Sequence, residues 1–445
     1  MLYLFFMAKN KLGVWTATSL VIGNMVGAGV FLLPAALASF GGISLLGWLL
    51  SAVGALLIAK VFSNASQLLP NADGGPYAYT HKGFGDFAGF LVAWGYWISC
   101  WCTNATIAVS FIGALSTFFP SLATNPVIAI MTGLSAIWFL TWINTLGIKA
   151  SGEMQLATTI LKLVPLIAIS VVGLFFIRWK NFMPFNISGL STIQAITGSA
   201  AMTLYAFLGV ECATIPAGNI SEPEKTIPRA TMLGTGITIL VYIMGTMSVM
   251  GMISSKNLQH SVTPFADAAA IMWGDNAHYW VAAGVAIAAF GALNGWILIQ
   301  GQISYAIAKD KLFPAIFARE NKKGVPAAGI IISSGLVSIF MMMNFTKGLV
   351  EQFKFMLLLS TLTCLVPYLL VAASYVIMVM EKKAITVKEW TRTLILGSLA
   401  FVFSLLAIIG AGETIVFWGF ILLLAGVPFY VWIIWKRRST DKEKL

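Results

Sequence analysis

The chain has 445 residues, 59% of them hydrophobic and only 10% charged, with a formal net charge of +11. Soluble domains carry about 25% charged residues, so a water-facing surface is excluded and lipid must be the solvent. The basic excess does not read as a nucleic-acid surface, because it sits in short loops and in the tail residues Lys436, Arg437, Arg438, Lys442 and Lys444.

The opening MLYLFFM is too short for a signal-peptide core and lacks a cleavage site, so the first span is expected to remain in the mature protein. Roughly 20 apolar residues cross the hydrocarbon region as a helix. Twelve such spans are expected, at 14–38, 44–66, 86–117, 126–146, 154–177, 193–217, 229–252, 277–307, 326–344, 353–379, 392–411 and 414–435. With their short loops they take up nearly the whole chain and leave no separate soluble domain. Helices are required because isolated strands leave peptide groups unpaired in lipid; the alternating pattern of a β-barrel is not in the sequence.

If the N-terminus is cytoplasmic, 21 of the 27 Lys and Arg residues fall on inside ends, loops and tail. Five (Arg178, Lys180, Lys256, Lys347 and Lys354) fall outside, and Lys162 belongs to neither side. That bias predicts a multi-pass protein of the cytoplasmic (inner) membrane with both termini inside. Cys100, Cys102, Cys212 and Cys364 lie in apolar segments, which excludes an extracellular disulfide framework. His81, His260 and His278 fall in loops away from any cysteine pair, so no metal and no cofactor is implied.

Two spans are interrupted alike. The first reads Gly23-Asn24-Met25-Val26-Gly27-Ala28-Gly29 with Pro34 beyond; the sixth reads Phe207-Leu208-Gly209-Val210-Glu211 with Pro216 beyond. Glycine weakens a helix by about 1 kcal/mol against alanine, and proline removes a backbone donor. An offset of five spans, an odd number, gives the two stretches opposite membrane orientations. Interruptions at matching places in inverted halves are the sequence signature of a transporter site, although glycines also serve close helix packing. Unwinding exposes peptide groups that lipid cannot satisfy. A half-helix N-terminus suits a carboxylate and exposed carbonyls suit an ammonium, so the pair of breaks suits a zwitterion such as an amino acid.

Of 16 acidic residues, only Glu211 lies deep in a span, while Glu413 sits in the last outside turn. An ionisable residue in the membrane is expensive and is a functional candidate by default; a structural acceptor for the broken backbone is the plainer reading. Lys162 lies about eight residues, roughly 12 Å, into the fifth span, where its stem could also snorkel toward the cytoplasm. An intramembrane enzyme would need facing catalytic pairs, and the expected spans hold no histidine away from their ends and one deep carboxylate, so the chain is not expected to be an enzyme. A transport-like sensor would need a signalling domain, for which no sequence remains.

The motifs GNMVGAGVFLLPAALASFGG, GGPYAY, FLGVE, PEKTIPRAT, GALNGW and KDKLFPAIFARENKKGVP resemble those of the amino acid–polyamine–organocation permeases. The order and spacing, from about residue 12 to 436, are most similar to the basic amino acid/polyamine antiporter branch, which includes the arginine/agmatine exchangers. The resemblance implies an all-α fold of twelve transmembrane helices, with a five-plus-five inverted repeat and discontinuous first and sixth helices. On that plan 12–180 is the first repeat, 187–380 the second, 390–436 the two trailing helices and 437–445 a cytoplasmic tail. It further implies alternating access and, often, a homodimer in the lipid bilayer.

By the same resemblance Gly27, Ala28 and Gly29 bind a substrate carboxylate through backbone amides, and the stretch Tyr205, Ala206 to Leu208 offers carbonyls to the amino group. Tyr205 takes the place of a tryptophan gate. Ser99, Cys100 and Asn104 match the third-span wall, Ser360 a tenth-span polar contact, and Tyr96, Trp296 and Tyr368 aromatic gates able to hold a cationic group by cation–π contact. Glu211 takes part in proton sensing and gate coupling. Lys162 corresponds to a fifth-span lysine of some sodium-independent relatives, which ties the first and eighth spans where a cation binds in sodium-coupled ones. The chain departs from the arginine exchangers at Ala28, Tyr205 and Ile107. The expected function is exchange of an amino acid, basic ones favoured, for a related amino acid or its decarboxylated amine. The alternative is a proton-coupled, sodium-independent symporter of broader or neutral specificity. GGPYAYTHKGFGD and the basic loop 309–325 are expected to form helical loops that rim the inner vestibule, or to be plain solvated loops.

Overall fold

The computed structural model describes residues 11–27, 29–261, 263–343, 349–410 and 412–442. Ala28, Lys9, Lys347 and Lys444, all named above, lie outside them. The described residues are helical apart from loops and one isolated bridge between Leu12 and Ile220. Among the described residues eleven helices are long and apolar enough to cross a membrane, and Ala327–Met343 adds a shorter apolar one. The protein is a multi-pass membrane protein.

The spans run in chain order as follows. The first is split into Val14–Met25 and Gly29–Leu37; the second is Ser44–Leu68, the third Asp86–Ser116, the fourth Pro126–Thr145 and the fifth Ile148–Gly173. The sixth is regular only over Thr192–Leu204, and the seventh is Pro223–Met252. The eighth is Ala277–Lys309, the ninth Ala327–Met343, the tenth Leu349–Met380 and the eleventh Val387–Gly410. The last runs as Glu413–Leu424 and Gly426–Lys442.

Several starts follow from local chemistry. Pro126 and Pro223 open their helices at a position that needs no N–H and whose φ proline already holds. Asn125 caps the fourth span by accepting from the amides of Val127 and Ile128, and Ser191 with Gln194 forms a capping box on the sixth. The seventh span therefore starts at Pro223, six residues before the sequence expectation of 229: Glu224 and Lys225 belong to its first turn, not to a loop.

The first span is the centre of the molecule, 88% buried, whereas the eleventh and last spans are 22% buried and lie at the rim. Large apolar side chains such as Trp138, Trp142, Leu161, Val164, Leu240 and Leu406 face outward, as a lipid solvent requires. The interior is polar in places. Asn144 donates to Asn294 Oδ1 at 3.0 Å, Ser151 donates to Asn144 Oδ1 at 2.8 Å, and Asn294 returns a bond to the Ser151 carbonyl at 3.1 Å. These amides tie the fourth, fifth and eighth spans, and buried polar groups so paired fix one register.

The loops sort into two faces. On one, the helix Pro76–Phe84 is joined to the ends of other spans: Lys82 pairs with Glu381, His81 with Asp86, and Tyr77 donates to Asp310. Arg437 reaches Asp86 there and Leu12 bonds to Asn219 and Ser221, so the first and last parts of the described chain share this face. On the other, Ile43 donates to Phe185, Ile187 to Phe40, and Gln259 to Ala38. GGPYAYTHKGFGD thus forms a docked helix and not a free loop.

Candidate functional site

The regular helix of the first span stops at Met25, and resumes at Gly29. A helix end leaves carbonyls without intrahelical partners, and here they are inside the membrane domain. Three successive ones are taken by side chains of three other spans. Lys162 Nζ of the fifth donates to Gly23 O at 2.6 Å, Trp296 Nε1 of the eighth to Asn24 O at 3.1 Å, and the Tyr242 hydroxyl of the seventh to Met25 O at 2.6 Å. Lys162, Trp296 and Tyr242 are all fully buried. Lys162 therefore does not snorkel; its ammonium ends on the broken helix. Gln155, Thr159 and Lys162 share one face of the fifth span, and a Cβ on Gly23 would meet Gln155 Nε2 at 1.9 Å. Glycine there is what lets the fifth span come close enough.

The sixth span changes character after Leu204. A 3-10 turn covers Tyr205–Phe207, short turns follow at Cys212–Thr214 and Ala217–Asn219, and no α-helix returns before Pro223. A span over 193–217 with a single break predicts a helix beyond Glu211; the whole second half is irregular instead. Gly209 has φ of +108°, and a Cβ there would lie 3.1 Å from Asn24 Cβ and 3.2 Å from the Met25 nitrogen. The two breaks touch at this point, and only glycine allows both the conformation and the approach.

Between them lies a cavity of about 10 Å³, lined by Asn24, Met25, Gly27, Val30, Thr103, Ile107, Tyr205, Ala206, Leu208 and Trp296. That volume is on the order of one water, so a larger solute enters only when the walls move. Gly27, Tyr205, Ala206, Leu208 and Trp296, named from the family resemblance, all line this cavity. The half-helix beginning at Gly29 has its start beside the cavity, since Gly27 and Val30 both line it; Ala28 lies outside the described residues.

Four named residues stand one layer back. Asn104 donates to Gln300 Oε1 at 2.9 Å, Ser99 donates to the Ser360 carbonyl at 3.1 Å, and Cys100 is fully buried among them. The wall itself carries Thr103 and Ile107. They are four residues apart and so share a helix face with Ser99, whereas Cys100 and Asn104 point about 100° away. Thr103 was missed for want of that registration, and its signal was the i, i+4 spacing.

Below the cavity, Trp296 and Tyr96 have ring centroids 6.4 Å apart. The hydroxyls of Tyr96 and Tyr368 both donate to the Glu211 carboxylate, one to each oxygen. Glu211, Tyr96 and Tyr368 are buried, and together they join the third, sixth and tenth spans. Tyr368 also meets Phe62 of the second span edge-on, at 5.6 Å. A carboxylate only accepts, and a carboxylic acid must donate one bond, so a proton on Glu211 rearranges this junction. Among the described residues no cluster of His, Cys, Asp or Glu suits a metal ion.

The carbonyl brackets give a direct test. Tyr242→Phe keeps the ring and removes the side-chain donor to Met25 O, which retains the Gly27 N–H; this should cost about 0.5–1.5 kcal/mol and lower the melting temperature by a few degrees. Tyr279→Phe, on an exposed ring, serves as the neutral comparison. Identical melting of the two variants in detergent or nanodiscs would show that the bond does not support the break.

Comparison with known proteins agrees with this geometry. The amino acid permease family model matches residues 12–435. The cadaverine/lysine antiporter of Escherichia coli strain K12 is 31% identical over 445 residues, covering 98% of both chains. The putrescine transporter PotE of Haemophilus influenzae is 29% identical, covering 96% of this chain and 98% of its own. The arginine/ornithine antiporter of Pseudomonas aeruginosa is 30% identical, over 91% of this chain and 87% of the other. Among solved structures, MhsT in complex with L-phenylalanine superposes with a TM-score of 0.62 at 15% identity, over 89% of this chain and 98% of that one, which is a likeness of fold. Two touching helix breaks bracketed by neighbouring spans, on a chain matched from end to end, place this protein in the amino acid permease family.

Proposed function

We propose that the protein is a secondary antiporter of the inner membrane, with both termini in the cytoplasm. It exchanges an amino acid, basic ones favoured, for a related amino acid or its decarboxylated amine by alternating access. The observation that carries this reading is the contact of two unwound segments around a small cavity, because peptide dipoles rather than side-chain charges then meet the cargo. The amides of Gly27 to Gly29, at a half-helix start, suit the carboxylate. The carbonyls of Tyr205 and Phe207 accept from Leu208 and Val210, so the amino group is assigned to Ala206 and Leu208, which line the cavity. Tyr205 and Trp296 supply aromatic faces for an apolar or cationic side chain. The relatives named for putrescine, cadaverine/lysine and arginine/ornithine support exchange among basic amino acids and amines.

Lys162 favours one second reading. Its buried Nζ on Gly23 O places a lysine amine beside the first-span break, which suits sodium-independent transport and leaves proton-coupled symport as the alternative. Counterflow separates the two. Vesicles preloaded with unlabelled lysine or cadaverine should take up labelled lysine several times faster than empty ones. Fast uptake into empty vesicles under an inward proton gradient, with no preloading effect, would replace exchange by symport.

Two substitutions test the site. Glu211→Gln keeps the volume of the acid, holds the Tyr96–Tyr368 junction in the bonding pattern of the protonated form and removes its titration, so transport should lose most of its pH dependence. A profile parallel to the parent's removes Glu211 from the coupling. Tyr205→Leu should slow turnover by up to about tenfold, the worth of one aromatic contact, while KM moves less. Equal losses in both would make Tyr205 a plain binding residue and not a gate.

A further inference from the structure

The irregular second half of the sixth span has to place its backbone N–H groups without a helix. Most find local partners: Cys212 donates to Gly209, Thr214 to Glu211, Asn219 to Pro216 and Ile220 to Ala217. Gly218 does not. Its N–H donates to the carboxylate of Asp73 at 2.7 Å, across 145 residues of sequence. The neighbouring Gly74 N–H donates to Ile215 O at 2.8 Å, so the loop before the docked helix Pro76–Phe84 holds the stretch 215–218 by two bonds. From the other side Leu12 donates to Asn219 O at 2.8 Å and accepts from Ser221 at 3.0 Å.

The fit around these bonds is close. A Cβ on Gly218 would lie 3.0 and 3.1 Å from the two Asp73 oxygens, and one on Gly75, whose φ is +44°, would meet Thr214 Oγ1 at 2.2 Å. The paired glycines of GGPYAY thus let the loop reach the unwound segment, and Gly218 leaves room for the acid. Asp73 is half-buried. The charged groups that face it are Lys309, at the end of the eighth span, and Lys11, ahead of the first. Lys309 is shared in turn with Tyr305 and Glu320.

We propose that Asp73 is the latch of the face that bears both chain ends: a positioning residue that holds the inner half of the sixth span closed through the Gly218 N–H. The inference rests on the alternating-access reading, in which this face must open to release cargo. Opening has to part 215–221 from 73–75 and from Leu12, so the bond enters the open–closed equilibrium directly. A charge-assisted hydrogen bond of this kind shifts such an equilibrium by about tenfold or more.

Burial raises the Asp73 pKa above the ordinary carboxylate range, while the Gly218 bond, Lys309 and Lys11 act the other way. In the open state Asp73 meets water and returns toward its ordinary value. The closed state therefore binds the proton more tightly, and acid favours the closed latch. The protonated acid still accepts through its carbonyl oxygen, and so does asparagine. Asp73→Asn should accordingly stay latched and lose the acid dependence, whereas Asp73→Ala leaves the Gly218 N–H without its acceptor.

Hydrogen exchange on the full-length protein in lipid nanodiscs reads this directly. In Asp73→Ala, amides of 213–221 should exchange about tenfold faster than in the parent, with the eighth span unchanged. Asp73→Asn, which stands for the protonated acid, should be at least as protected as the parent at neutral pH, and the parent should approach it as the pH falls. Gly218→Ala, which presses a methyl group on the carboxylate, should repeat the Asp73→Ala result and keeps the test alive if that variant does not fold. Unchanged exchange in 213–221, equal acceleration in Asp73→Asn, or acceleration spread over the whole domain would each overturn the latch. The readout needs no substrate. A failure of lysine counterflow in the parent would sink the exchange reading while leaving a local exchange effect to stand.

Discussion

Three backbone carbonyls in a row, those of Gly23, Asn24 and Met25, have lost their helical partners inside the membrane domain, and everything else in the site is arranged around that fact. An unpaired peptide group in an apolar medium costs several kcal/mol, so an unwound helix in mid-span cannot exist alone. Lys162, Trp296 and Tyr242 each cover one carbonyl. The fifth, seventh and eighth spans are thereby fixed to the same three residues. The close approach at Gly23 is the steric counterpart of this arrangement, because the lysine reaches its carbonyl only when Gln155 and Thr159 lie against a residue with no side chain.

The same requirement decides where charge can sit. Glu211 is the deep acid of the chain, and it is paired with two tyrosine hydroxyls, one from the third span and one from the tenth. Tyrosine gives a donor with no formal charge, so the carboxylate is satisfied without burying a second ion, whose desolvation would cost more than the pairing returns. The cavity wall above carries Asn24 and Thr103 among apolar and aromatic residues and no acid. Whatever charge a cargo carries must then be met by peptide dipoles and ring faces. Such a site is tuned by the spacing of backbone, and changes in side-chain volume at Ile107 or Tyr205 alter its reach without altering its sign.

Much of this was legible in the sequence because membrane helices obey few rules. Hydropathy alone located the spans to within a few residues in most cases, since lipid tolerates nothing else. The exceptions are instructive. Pro223 starts the seventh span six residues early because a proline at the first helical position stabilises a turn that its charged neighbours would seem to forbid. The sixth span was expected to resume as a helix, as the first does at Gly29, and it does not. Gly209, Pro216 and Gly218 fall too close together for a helix to be regained before Pro223. Pairwise contacts were the least legible part. That Lys162 would end on Gly23, or Tyr242 on Met25, depends on how three helices lean together, and no spacing within one helix encodes it. Thr103 shows the intermediate case: its face was available from the period of the third span, once Ser99 was placed.

Two kinds of closure meet in the sixth span, and they act on different parts of it. Near the cavity, Gly209 abuts Asn24 and Met25, so the breaks of the first and sixth spans are in direct contact. Toward the face bearing the chain ends, 215–221 is held by the loop of Asp73 and Gly74 and by Leu12, through backbone bonds to separate elements. Irregular backbone suits this position because it presents N–H and C=O groups sideways, where a helix would keep them for itself. A segment held by a few hydrogen bonds rather than by a packed helix face can be released by breaking those few. The unwinding that opens peptide groups to a cargo is continuous with the unwinding that lets the span be unfastened. A helix restored over 205–220 would be expected to remove both at once, since it would withdraw the Gly218 N–H and the Ile215 carbonyl into its own ladder.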